Sequence, residues 1–92
     1  MEMFELMKTR LPEGLEVVKV YNRTGQDQMK IVFSYKGQEQ IGWLRKTCAP
    51  GFAEKNCDFS ICVVMIGLAL DRGDLEAAKY WSEKQSGIYR VF

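Results

Sequence analysis

Short amphipathic stretches flank one uniformly apolar run in this chain. Ile61 to Leu70 reads Ile-Cys-Val-Val-Met-Ile-Gly-Leu-Ala-Leu, without a charge or a strong hydrogen-bonding side chain. A helix that spans a bilayer needs about 20 apolar residues, so the run is too short to cross one. A surface helix keeps one wet face, which this run lacks. The pattern predicts a helix buried on nearly all sides, around which the rest of the chain packs.

The flanking patterns supply the other elements. Residues 2–11 read as a short amphipathic helix, with Phe4, Met7 and Leu11 on one stripe beside Met3 and Leu6. Glu2 and Glu5 sit at its positive end, Lys8 and Arg10 at its negative end, and Pro12 and Gly14 stop it. Leu15 to Asn22 is Val-rich and predicts a strand, followed by a polar turn, Arg23-Thr24-Gly25-Gln26-Asp27. From Gln28 to Tyr35 the alternation is clear: Met29, Ile31, Phe33 and Tyr35 face one way, Lys30, Val32 and Ser34 the other. Gly37 supplies the positive φ of a tight hairpin at Lys36-Gly37 or Gly37-Gln38. Glu39 to Lys46 then returns as a third strand, with Ile41 and Trp43 on one face.

A loop, 47–55, leads through Pro50-Gly51 into the apolar helix. Asn56 or Asp58 is placed to cap its start, and Gly73 suits the left-handed position after its end. Asp74 caps a last helix, Leu75 to Gln85, with Leu75, Ala78 and Trp81 inward and Ser86-Gly87 at its close. Ile88 to Phe92 has strand character and offers either a fourth strand or a tail pinned by its aromatics. The predicted fold is α+β, in the order α-β-β-β-α-α with an optional terminal β. A three-stranded antiparallel meander is covered on one face by the central apolar helix, with flanking helices. At this length residues 1–92 form a single domain, and Trp43 and Trp81 are expected in its core.

Composition narrows the function. The chain is 47% hydrophobic and 27% charged, which is globular and not disordered. A net charge of +1 supplies no whole-protein basic field to hold nucleic acid. There are three cysteines, Cys48, Cys57 and Cys62, no histidine and no Cys-x-x-Cys, so neither a metal nor a cofactor is expected. The cysteines read as reduced thiols, Cys62 as a small buried hydrophobe. The opening Met-Glu-Met-Phe-Glu-Leu-Met-Lys lacks the basic-then-apolar order of a secretory signal. The expected location is a reducing cytoplasm, away from membranes.

Without histidine the commonest general base is missing. The carboxylates are scattered, and Gly25 and Gly37 stand alone, so no phosphate-binding loop is formed. Cys48 has Arg45 and Lys46 nearby, but proximity in sequence alone rarely activates a thiol. The expectation is a protein without enzymatic activity.

Charge does concentrate in the meander, where residues 15–46 carry six basic side chains against three acidic ones. Lys19, Tyr21 and Arg23 with Lys30, Ser34 and Lys36 predict a basic sheet surface holding one aromatic. Such a face suits an acidic protein partner steered to it, or single-stranded nucleic acid stacked on Tyr21. The plain alternative is a solvated face kept soluble by lysine. Tyr80, Tyr89 and Phe92 are the candidates for apolar contact with a partner or a second subunit. A strand at 88–92 pairing across a two-fold axis would make a homodimer.

Two local resemblances assign no family. Residues 66–81 resemble one helical hairpin of a tetratricopeptide repeat, but no second copy exists and such repeats need about three. The helix–three strands–helix order resembles the double-stranded RNA-binding domain. The lysine-rich start of that family's second helix is replaced here by Asn56-Cys57-Asp58-Phe59-Ser60-Ile61. The functional expectation is a small protein-binding module. By analogy with accessory proteins of phages and mobile elements, it would inhibit or modulate a host protein, such as a defence enzyme, by surface complementarity. The alternative is a nucleic-acid-binding protein that uses the basic sheet face.

Overall fold

The chain folds as α1 (Met3–Lys8), β1 (Leu15–Tyr21), β2 (Gln28–Tyr35), β3 (Gln38–Arg45), α2 (Ala53–Asp71) and α3 (Leu75–Ile88). This computed structural model describes residues 2–90. The strands form an open antiparallel meander in the order β1-β2-β3, and the fold is α+β as the pattern predicts.

One tight turn sets the register of half the sheet. Lys36 and Gly37 both take positive φ, 50° and 80°, which gives the two-residue hairpin whose twist matches its strands. It pairs Tyr35 with Gln38, and the ribbon then pairs Ile31 with Gly42 and Lys30 with Trp43. Met29, Ile31 and Phe33 point inward and are buried, with Gly42 and Leu44 beside them. Ile41 and Trp43 therefore share the outer face with Lys30 and Val32. Trp43 is 53% exposed and is no core residue, contrary to the expectation from its size. Trp81 does pack against the core, half-buried.

α2 covers the inner face of the sheet. Cys57, Ile61, Val64, Met65 and Leu68 meet Met7, Leu15, Met29, Ile31, Phe33 and Leu44 in one cluster. Fully buried members such as Ile31, Leu44 and Leu68 each contribute about 2 kcal/mol relative to exposure. Gly42 lets helix and strand approach closely: a Cβ there would lie 2.5 Å from Val64 Cγ2 and 2.8 Å from Phe33 Cε2.

The helix departs from expectation in two ways. It begins at Ala53, before either expected cap. Asn56 instead donates from Nδ2 to the Arg45 carbonyl at 3.0 Å, which satisfies a buried amide. Asp58 accepts from Arg10 Nε and Nη2, both at 2.7 Å, while Glu54 accepts from Arg10 Nη1 at 2.7 Å. This fork ties the end of α1 to α2. Secondly, α2 is not enclosed all round, because Phe59, Val63 and Leu70 remain exposed.

α3 folds back along α2 after a compact turn. Gly73 has φ of 74°, Asp74 N–H donates to the Ala69 carbonyl at 2.9 Å, and Asp74 Oδ1 accepts from Ala77 N–H at 3.0 Å. Ala78 is buried, but Leu75 is 72% exposed and does not face inward. The helix runs through Ser86 and Gly87 to Ile88, with Tyr89 as its C-cap. The optional fourth strand is therefore absent among the described residues. Val91 and Phe92, including Phe92 as a contact candidate, lie outside them.

Candidate functional site

β3 is an edge of the sheet, and the chemistry of that edge defines the candidate site. Lys46 N–H donates to the Asp27 carbonyl at 2.7 Å. Backbone groups alternate sides along a strand, so the even-numbered residues of β3 bond to β2. Ile41, Trp43 and Arg45 consequently turn their N–H and C=O groups to the free edge. α2 reaches this edge from below: Ser60 Oγ donates to the Trp43 carbonyl at 2.8 Å, and Asn56 to that of Arg45. Four helical residues advance about 6 Å and two strand residues about 6.8 Å, so the two repeats match. The next turn carries Val64, which has nothing to donate to Ile41.

Beyond the edge lies an open groove of about 750 Å³. Ile41 and Trp43 form one wall, Phe59 and Val63 of α2 the base, and Phe52 and Tyr89 the far end. The Tyr89 ring lies 5.5 Å from that of Phe59 and 6.2 Å from that of Phe52, centre to centre. Burial against them raises the Tyr89 phenol above its ordinary pKa. Cys48 sits exposed at the rim.

A cation stands at the far end of the groove. Lys55 Nζ lies 5.3 Å from the centre of the Phe52 ring, whereas Lys30, beside Trp43 in the register, carries its ammonium over Tyr21, on the side away from the groove. Neither lysine forms an ion pair among the described residues. Arg45, by contrast, donates to Asp27 at 3.2 Å, and Thr47 Oγ1 donates to the same carboxylate at 2.7 Å. The Thr47 bond, then Arg45, holds the Asp27 carboxyl below the usual carboxylate range.

The residues singled out in the sequence do not form one site. Lys19, Tyr21 and Lys30 meet on the outer face, with the two ammonium groups 4.9 and 5.2 Å from the Tyr21 ring centre. The row continues from Tyr21 across Lys30 to Trp43. Arg23 lies in the β1–β2 turn, where its carbonyl accepts from Lys46 Nζ at 2.8 Å. Lys36 is at the opposite end of the sheet, over Tyr35 at 5.2 Å. Tyr80 lies edge-on to Trp81 on α3, at 5.2 Å, and takes no part in the groove. Tyr89 does line it.

The sequence reading missed Ile41, Trp43, Phe52, Phe59 and Val63 as candidates. Parity would have exposed Trp43: once Tyr35 pairs with Gln38 across the turn, the partner of outward Lys30 must also point outward.

Cys57 and Cys62 lie buried, and burial pushes the Cys57 thiol up to about 11. Among the described residues no group of three or more His, Cys, Asp or Glu could hold a metal ion. No described helix is long and apolar enough to cross a membrane. No protein-family model, curated protein or solved structure matches the chain.

Proposed function

We propose that this chain is a protein-binding module without enzymatic activity that docks its partner in the groove beside β3 and modulates that partner by occupying its surface. One observation carries the reading. Exposed apolar side chains stand on both sides of the sheet edge, Ile41 and Trp43 on one and Phe59 and Val63 on the other, and line one groove. Contiguous exposed apolar patches mark interaction sites, and Trp and Tyr in concave settings are the usual anchors of binding energy. The unpaired Lys55 at the far end favours a partner with an acidic group beside its apolar contact.

The row Tyr21, Lys30, Trp43 supports a second reading. Two lysines over one aromatic, with another aromatic across the sheet, suit stacked bases and a phosphate backbone. The protein reading is favoured because the same face places Glu16 and Glu39 on either side of Ser34. Those carboxylates repel a polyanion that crosses the sheet.

Affinity capture with and without nuclease tests the choice, using the wild type, Val63→Asp, Phe59→Ala and the double variant Lys19→Glu/Lys30→Glu. Each variant is first checked for native circular dichroism. One stoichiometric protein that resists nuclease, and is lost with Val63→Asp and Phe59→Ala, supports the docking groove. Nucleic acid lost only with the lysine variants supports the second reading. Capture that ignores every substitution refutes both.

A further inference from the structure

We infer that the partner enters the groove as an extended segment of another protein, with apolar residues at alternate positions, and adds a fourth strand along β3. The inference rests on the protein-docking reading above and specifies its partner. Backbone polarity is the first ground. The N–H groups of Ile41 and Trp43 and the C=O of Ile41 face the groove, and no intramolecular hydrogen bond occupies them among the described residues. An exposed strand edge of this kind is completed by main-chain hydrogen bonds to an added strand.

The position of α2 is the second ground. Asn56 and Ser60 reach the edge of β3 from beneath, so α2 overhangs the sheet there. At 3.6 residues per turn, Phe59, Val63, Ile66 and Leu70 fall on one stripe. That stripe lies between the side that meets β3 and the side that meets α3, and Phe59, Val63 and Leu70 on it are exposed. It is the surface that a fourth strand would cover. The three-stranded sheet is one strand too narrow for the helix beneath it.

The chemistry of the occupant follows from its neighbours. Alternate side chains of an added strand would point down onto Phe59 and Val63, and these must be apolar. The intervening ones would lie over the outer face beside Trp43, and an acidic group at the end of the segment near Phe52 would complement Lys55. A second copy presenting its own β3 does not fit. A two-fold axis would put both α2 helices on the same side of the joined sheet, in the one space beneath the junction.

The test uses the whole protein and a phage-displayed library of random peptides of about 12 residues, enough to contain a strand of five or six. Selected peptides are expected to carry apolar residues at alternate positions and to lose binding to Val63→Asp and Phe59→Ala. Amide exchange at Ile41 and Trp43 should slow by about tenfold or more on binding. Methylating the peptide nitrogen that donates to the Ile41 carbonyl should weaken binding about tenfold, and methylating its two neighbours should weaken it little. Three outcomes overturn the strand: no peptide is selected, selected peptides turn helical when bound, or a groove-bound peptide leaves both amides unchanged. If the strand fails while a captured protein is still lost with Val63→Asp, the docking reading survives. If capture ignores Val63→Asp, the docking reading itself falls.

Discussion

Replacing Gly42 with alanine puts a methyl group where no space exists. Its carbon would lie 2.5 Å from Val64 Cγ2 and 2.8 Å from Phe33 Cε2, where carbon atoms normally rest about 3.5–4.0 Å apart. Both neighbours are 1% exposed, so neither side chain can swing into solvent. One belongs to α2 and the other to β2, and relief requires helix and sheet to separate. Overpacking of a core costs about 1–3 kcal/mol, and this geometry places Gly42→Ala near the upper end, at about 3 kcal/mol. For a domain of this size that lowers the melting temperature by about 12–24 °C. Urea unfolding followed by far-ultraviolet circular dichroism reads the change as a lower midpoint at unchanged slope. Val64→Ala is the control. Alone it costs about 2 kcal/mol. Combined with Gly42→Ala it should recover about 1 kcal/mol or more relative to additivity, because the new methyl fills the vacated space. A single variant within about 0.5 kcal/mol of wild type, or strict additivity, would refute the close-packing account.

Four further outcomes are expected. In the native protein one thiol, Cys48, reacts with an aromatic disulfide reagent, and all three react in denaturant; a second native thiol reacting at the same rate contradicts the burial. The folded-state value of about 11 for Cys57 exceeds its unfolded value, so its stabilising contribution is present below about pH 8.5 and is lost towards pH 11. Cys57→Ser should flatten that alkaline limb in denaturation midpoints. The Ala77 N–H, then Arg72, lowers the Asp74 carboxyl. Its contribution is therefore full above about pH 4 and is lost as pH falls through the folded-state value. Asp74→Asn keeps a cap but should remove this part of the acid dependence; an identical acid limb in both proteins would rule it out. Arg10→Ala breaks the fork that joins α1 to α2 and should cost about 1 kcal/mol at low salt. The cost should shrink in about 1 M salt, when the screening length falls to about 3 Å; a salt-independent loss would point to packing of the arginine stem instead.

Element order was readable because each element carries a local signal. The alternation through β2, the Lys36-Gly37 turn and the Gly73-Asp74 boundary are properties of adjacent residues. The groove is not local. Phe52, Phe59, Trp43 and Tyr89 come from four parts of the chain, and nothing in their immediate neighbours distinguishes them from core aromatics. Trp43 misled because large apolar residues usually face inward, whereas β3 keeps its inner face shallow with Gly42 so that α2 can approach. Asn56 and Asp58 misled because both are good helix caps. Tertiary partners, the Arg45 carbonyl and the Arg10 guanidinium, engage them inside the helix instead. Lys19, Tyr21 and Lys30 were legible as neighbours because one strand register joins them. Arg23 and Lys36 fell away because the turns that hold them lie at opposite ends of the ribbon.

The pairing of Asn56 and Ser60 with two carbonyls of β3 solves a problem that apolar residues alone leave open. A cylinder greasy around its circumference can spin about its long axis with little change in the area it buries, so hydrophobicity by itself selects no angular setting for α2. The two hydrogen bonds act as a key in a slot. They lock the helix at one azimuth, and a rotation by one residue would leave the Asn56 amide stranded. Replacing both by apolar residues of similar size could leave the chain as compact as before and yet spread it over several azimuths, with broadened side-chain resonances. In this small domain the angular setting of α2 rests on these two bonds together with the Arg10 fork to Asp58 and Glu54, while cohesion rests on the many apolar contacts.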